Sequence, residues 1–467
     1  MVKLESVACL GVEADERNPQ MTDRTYAPVP TAPMPDRKTL RKSVVAGSIG
    51  VFVHWLDWAI YAYMAGVIAQ VFFPTGDQTA GLLAVFGVFA VSFFVRPLGA
   101  IIFGRLGDTM GRKKTLSIVI LLMAASTLML GILPGYGTVG ILAPILLIVV
   151  RVIQGIAAGG EFGSAAAFLA EYSPPKKRGF GVSWLEFGSL LGFLFASLIV
   201  FVLTSSMSAE AIANGGWRIA FLITVPFGIV GLYIRTKIED TPEFTELARL
   251  NNVAQSPVAE VFRKNWKQLI QTCGIEIFMN VTFYVVLVYL LTYQETVVGV
   301  EATQAVLFTT LASALSLIVV PFSGLASDRW GRKPVLMTAA IALTVLSLPL
   351  FLVMQSGQPW ATFVSTMGLA LILAIILGTH AVTVAELFPT RTRQTGLSIA
   401  YAVTAALFAG TAPFLLTLLI DVTKNDLVPG FFLIAVGVVG IITVASLKES
   451  KGIDLLMPQD LERTVAK

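Results

Sequence analysis

Twelve apolar runs, each near the roughly 20 residues needed to cross a hydrocarbon core, constrain this chain more than any other feature. They fall at about 44–69, 80–104, 115–134, 140–170, 181–206, 217–235, 267–292, 302–325, 334–354, 360–386, 394–420 and 428–447. At 55% hydrophobic and 13% charged residues, the chain lies far from a soluble balance, and a water-soluble domain has no use for such runs. Inside lipid every backbone polar group must be satisfied within the protein, and runs of this length select helices. The basic residues say how the helices thread. Lys and Arg crowd at Arg37–Lys42, Arg105–Lys114, Lys176–Arg178, Arg235–Lys267, Arg329–Lys333 and Arg391–Arg393, while the intervening loops are almost bare, Lys424 excepted. This alternation is the positive-inside pattern; it expects both termini in the cytoplasm and an even number of spans. It also removes nucleic-acid binding as a reading of the net charge of +4.

The chain is written twice. GRLGDTMGRKKTL from Gly104 returns as GLASDRWGRKPVL from Gly324, and AEYSPPKKRGFGVS from Ala170 returns as AELFPTRTRQTGLS from Ala385. Two ordered echoes imply two related halves. The expected division is a polar, Pro-rich and disordered segment 1–40, a six-helix bundle 41–235, a connector 236–266, a second six-helix bundle 267–447 and a tail 448–467. The connector carries EDTPEFTEL and is expected to form a short amphipathic helix; the tail lacks heptads. Two cysteines, Cys9 and Cys273, offer no disulfide framework.

The repeated G-x-x-x-D-x-x-G-R-K loop resembles the signature loop of the major facilitator superfamily. More narrowly, SFFVRPLGAIIFGRLGD, RVIQGIAAGGEFGSAAAFLAEYSPPKKRGF and AELFPTRTR resemble its metabolite:proton symporter family. Within that family GVSWLEFGSLLGF, GIVGLYIRTKIEDTPEF and TCGIEIFMNVTFYVVLVY are most similar to the proline/betaine branch. The resemblance runs from about Leu40 to Glu449. It implies an all-α membrane protein, two pseudo-symmetric six-helix bundles around a central polar cavity, transporting by alternating access.

Several residues then become candidates. In the loops, Asp108 suits a neighbouring helix N-terminus, and Arg112 and Lys113 suit carboxylates or helix C-termini. Asp328, Arg332 and Lys333 are their equivalents, and Glu171 and Glu386 are the carboxylates at hand. Such contacts bias a two-state rocking equilibrium; alternatively the basic residues only fix topology. In the first span His54, Asp57 and Tyr61 share a helix face. Asp57 reads as a proton site or a substrate-ammonium site with His54 titrating beside it, or as half of a structural His–Asp pair. The family pattern here is E-W-x-D-F, and His54 stands in place of its acid. Arg151, Gln154, Ala158 and Glu161 form one stripe on the fourth span. R-x-x-Q-G matches the superfamily's fourth-helix signature, which implies a role in proton coupling or anion binding; an internal Arg151–Glu161 or Arg151–Asp57 pair is the alternative.

Arg96 either snorkels to the surface or meets substrate, and Glu186 is either interfacial or internal. Glu276, Asn280 and Tyr284 make a candidate cavity face on the seventh span. His380 stands alone and reads as a helix-packing residue. Trp184, Phe187, Phe283 and Tyr401 are candidates for an aromatic cage. No P-loop, metal-ligand cluster or nucleophile–base set is present, so no enzyme, metal or cofactor is expected. The fifth span lacks the G-P pair of drug/proton antiporters, which lowers an export reading. The expected function is proton-coupled uptake of a small carboxylate-bearing metabolite, proline or glycine betaine first and dicarboxylates or tricarboxylates second, by a monomer in the inner membrane whose partners are substrate, protons and lipids.

Overall fold

The computed structural model describes residues 37–74, 78–237, 240–249 and 252–455; the expected disordered segment 1–40 and the end of the tail lie largely outside them. Among the described residues twelve helices are long and apolar enough to span: α1 Lys42–Tyr63, α2 Ala84–Met110, α3 Arg112–Ile132, α4 Leu142–Tyr172, α5 Pro175–Ser206, α6 Ala209–Thr236, α7 Trp266–Val298, α8 Gln304–Trp330, α9 Arg332–Met354, α10 Pro359–Leu387, α11 Arg393–Thr423 and α12 Val428–Ser446. Their outward faces carry Leu98, Val149, Phe201, Ile318 and Ile442, all exposed and all apolar, as a surface bathed in hydrocarbon must be. The connector between α6 and α7 holds two short helices, Pro242–Arg249 and Pro257–Lys264.

Local chemistry breaks several spans where they matter. Pro97 lacks an N–H, so α2 turns at Val95, directly before Arg96. The helices α7 and α11 each widen into a π segment, at Val285–Tyr289 and Ala405–Ala409, and both segments face a cavity described below. At the basic loops, Gly111 and Gly331 end one helix and start the next with φ 101° and 108°. Only glycine adopts that backbone cheaply, and the repeat of the loop is first a repeat of this turn.

Candidate functional site

Three buried polar groups lie between or within the bundles. The first centres on Asp57 of α1, wholly buried. Its Oδ2 accepts from Gln154 Nε2 at 3.1 Å and lies 3.4 Å from Arg151 Nη1, and Gln154 Nε2 also donates to Thr127 Oγ1 at 3.2 Å. The Arg151 guanidinium sits 3.6 Å over the ring of Tyr61, whose hydroxyl donates to the Val85 carbonyl. Of the two pairings open to Arg151, the structure makes the one with Asp57. Glu161 lies ten residues further along α4, about 15 Å at helical rise, and pairs instead with Arg235 of α6 at 3.2 Å. His54 stacks on Trp58 with the rings 4° from parallel, and its Nδ1 has no hydrogen-bond partner; it does not pair with Asp57. Asp57 Oδ1, Gln154 Oε1 and Arg151 Nε and Nη2 also lack partners, an open set of donors and acceptors deep in the protein.

The second group was not legible as a group. His380 of α10 lies 3.2 Å from Glu186 of α5 and 3.5 Å from Glu276 of α7. All three are buried. The lone packing histidine is therefore a bridge between carboxylates of both bundles, and Glu186 is not interfacial. Arg96 does not snorkel either: it is 1% exposed, with its guanidinium 4.1 Å from the rings of both Trp58 and Phe93. Small residues bring it there, since a Cβ on Gly155 or Gly159 of α4 would strike the α2 backbone at Ser92 or Arg96. Asn280 reaches Thr404 of α11 at 3.5 Å, and Tyr284 lies beside Arg96. The four proposed cage aromatics do not converge. Trp184 packs on Phe187, Phe283 packs on Trp55 and Phe193, and Tyr401 stacks on Phe162 at 4.1 Å.

A cavity of about 520 Å³ lies in the half of the protein away from the basic loops, lined by Trp58, Phe89, Phe93, Tyr284, Tyr289 and Phe414 among others. Trp58, Phe93 and Tyr284 separate it from Arg96.

The third group closes the basic end, and it does so crosswise. Asp108 at the end of α2 accepts from the backbone N–H groups of Gln394 and Thr395 at the start of α11, at 3.2 and 2.8 Å. Asp328 at the end of α8 accepts from Gly179 and Phe180 at the start of α5, both at 2.8 Å. Each carboxylate thus meets the positive end of a helix in the other half. Glu171 pairs with Arg112 of its own half at 3.1 Å and Arg393 of the other at 2.7 Å. Glu386 likewise pairs with Arg332 at 3.1 Å and Arg178 at 3.0 Å. Lys113 contributes its backbone N–H to Asp240 at 3.3 Å, whereas the Lys333 ammonium donates to the carbonyls of Ala445 and Leu447 at the end of α12. Asp240 and Glu449 hold equivalent places, their carboxylates accepting from the backbone N–H groups of Arg112 and Arg332 at the starts of α3 and α9, both at 2.9 Å. The tail is stitched in as well: Ile453 and Leu455 carbonyls accept from Arg178 and Arg393.

Glu243, on the first connector helix, sits beside this network, with Glu171, Arg393 and Arg178 as its charged neighbours. Burial, reinforced by the Glu171 carboxylate, pushes it from its ordinary 4.5 up to about 8. The docked connector therefore holds a proton that the detached one releases. Its stabilisation is complete below the ordinary pKa and is lost as pH rises through the raised value. Thermal unfolding in detergent between about pH 5 and pH 8.5 should show the melting temperature falling as pH rises, and Glu243→Gln should flatten that slope.

A pair of pseudo-symmetric six-helix bundles, sealed crosswise at one end and hollow toward the other, is the architecture of an alternating-access membrane transporter. The chain belongs to the Major Facilitator Superfamily, whose family model matches residues 47–413 and 277–454. It is 37% identical over 424 residues to the proline/betaine transporter of Salmonella typhimurium, covering 89% of this chain and 85% of that one. To the glycine betaine/proline/ectoine/pipecolic acid transporter OusA of Dickeya dadantii it is 35% identical, covering 89% and 84%. Among solved structures, the proton:xylose symporter XylE bound to 6-bromo-6-deoxy-D-glucose matches with a TM-score of 0.73 at 19% identity, over 91% of this chain and 99% of that one. The protein is an integral membrane transporter of a small molecule and not an enzyme.

Proposed function

We propose that the protein accumulates a small zwitterionic metabolite of the proline or glycine betaine kind by symport with protons, the proton being the only coupling species and no cofactor taking part. The observation that carries the coupling is Asp57, fully buried against Arg151 and Gln154 with one oxygen unpartnered. A carboxylate so placed exchanges a proton and its guanidinium partner together, which ties proton occupancy to the packing of α1 on α4. The substrate class follows the names of the relatives. A dicarboxylate fits less well, because its second negative charge calls for a second unbalanced cation and Asp57 already balances Arg151. The positive-inside pattern puts the basic end and both termini in the cytoplasm, so the crosswise seal is the inner gate and the cavity opens outward.

The test is uptake into vesicles holding the purified protein under an imposed inward proton gradient. Labelled proline, glycine betaine, α-ketoglutarate and citrate are compared with and without an uncoupler. Uncoupler-sensitive accumulation of betaine or proline is the expected result; accumulation of the dicarboxylate alone, or uptake indifferent to the uncoupler, would sink the reading.

A further inference from the structure

Two sets of buried ionisable groups neighbour the Tyr401 side chain. On one side is Arg96, whose guanidinium donates to Tyr401 while its Nε and Nη2 have no partner. On the other is Glu276, 0% exposed, with Oε1 held by His380 Nδ1 at 3.5 Å and Oε2 without a hydrogen-bond partner. Tyr401 is within electrostatic reach of Arg96, Glu186 and Glu276 alike. A polar group left unmatched in a protein interior costs more than a hydrogen bond returns. A cluster that merely held helices together would have matched these atoms to one another. The side chains do not pair off one to one: a single guanidinium stands on one side, and two carboxylates share one imidazole on the other.

We propose that Arg96 and the Glu186–His380–Glu276 cluster form the two jaws of a zwitterion site, with Tyr401 between them. The guanidinium takes the substrate carboxylate through the two nitrogens that lack partners. The glutamates take the ammonium, and Phe162, stacked on Tyr401 at 4.1 Å and on His380 at 5.7 Å, holds those two side chains in place. The site rests on the reading of the protein as a transporter of small zwitterions and adds where the two substrate charges go. Arg96 and Glu186 belong to the first bundle, Glu276, His380 and Tyr401 to the second. A bound zwitterion therefore bridges the bundles and substitutes for contacts that neither bundle makes alone. The floor of Trp58, Phe93 and Tyr284 between the cavity and Arg96 is the barrier a substrate entering from the hollow side must displace.

The test is equilibrium binding to purified protein without any gradient, using labelled glycine betaine displaced by unlabelled betaine, by choline, which lacks the carboxylate, and by 3,3-dimethylbutyrate, which lacks the positive charge. The wild type should prefer betaine over each analogue by about 10- to 100-fold, since choline loses the charged hydrogen bonds of the carboxylate and dimethylbutyrate loses the coulombic and cation–π attraction of the quaternary ammonium. Glu276→Gln should erase most of the preference over dimethylbutyrate and keep the preference over choline. Arg96→Gln should do the reverse. Each readout is a ratio within one preparation, so a partly inactive sample does not mimic the effect. If Glu276→Gln fails to fold, Glu186→Gln is expected to show the same selective loss. Unchanged ratios in these variants overturn the site while leaving betaine transport standing; no displaceable betaine or proline binding by the wild type overturns the transport reading together with the site.

Discussion

Asp57→Asn is expected to abolish gradient-driven accumulation, by about 100-fold or more, while substrate exchange across the membrane continues. The carboxylate is the acidic group of a wholly buried set that otherwise consists of Arg151, Gln154 and Thr127. Its amide isostere keeps the volume and can still meet Gln154, but it can neither take a proton nor balance Arg151. Breaking a buried ion pair on one side costs about 3–5 kcal/mol, because the remaining charge is left in a low-dielectric site. That energy is what makes proton occupancy matter to the conformational equilibrium. Two measurements on the same vesicles separate the possibilities: uptake under an imposed proton gradient, and counterflow of labelled against unlabelled substrate at equal pH. Loss of the first with retention of the second is the signature of uncoupling. A purely structural Asp57–Arg151 pair would instead lower both together. Accumulation at the wild-type level in Asp57→Asn would remove Asp57 from the coupling mechanism. Asp57→Glu, which restores a titratable group at slightly the wrong reach, should recover part of the accumulation.

The sequence made some of this arrangement legible and hid the rest for a physical reason. Length and apolarity are properties of each segment, so the twelve spans were readable. The repeat of Gly111 as Gly331 was readable because a backbone turn is local. Repetition also pointed from the loops to Glu171 and Glu386. It did not show that Arg393 crosses to Glu171 and Arg178 to Glu386, since a repeat identifies equivalent residues and not which half supplies the partner. The His380 bridge was hidden more deeply. Glu186, Glu276 and His380 stand on three helices, 90 or more residues apart, and each alone resembles an ordinary polar residue in a span. Arg96 was ambiguous for the same kind of reason. Nothing in VRPLG says that α4 presents Gly155 and Gly159 to that stretch and draws it into the interior.

The crosswise seal carries the second large expectation. Glu171→Gln with Glu386→Gln should open the basic end and trap the protein there. A single cysteine at Ser164, which is fully buried and hydrogen-bonded to Gln394 across the bundles, reports the opening in a chain with Cys9→Ser and Cys273→Ser. Its labelling by a maleimide from the basic side should rise about 10- to 100-fold for either glutamine alone. Each glutamate accepts charged hydrogen bonds from arginines of both halves, and such bonds contribute about 1.5–3 kcal/mol. Removing the anion also leaves Arg112 facing Arg393, or Arg332 facing Arg178, with their repulsion uncompensated. The loss of the cross-bundle pair and the repulsion between arginines of opposite halves fall on the sealed state alone, whereas the pair each glutamate makes within its own half is lost from both states. The free energies therefore add in one two-state equilibrium, and the double variant should label faster than either single one until the open state is fully populated. Transport should fall accordingly, since a protein that cannot reseal at the basic end cannot return to the hollow-side opening. If the loop charges serve topology only, labelling stays at the wild-type rate in all three variants, and the gating role of the repeated loops is lost. Lys113→Gln provides the internal contrast. Its backbone N–H, which the substitution leaves in place, is what meets Asp240, so labelling should not change.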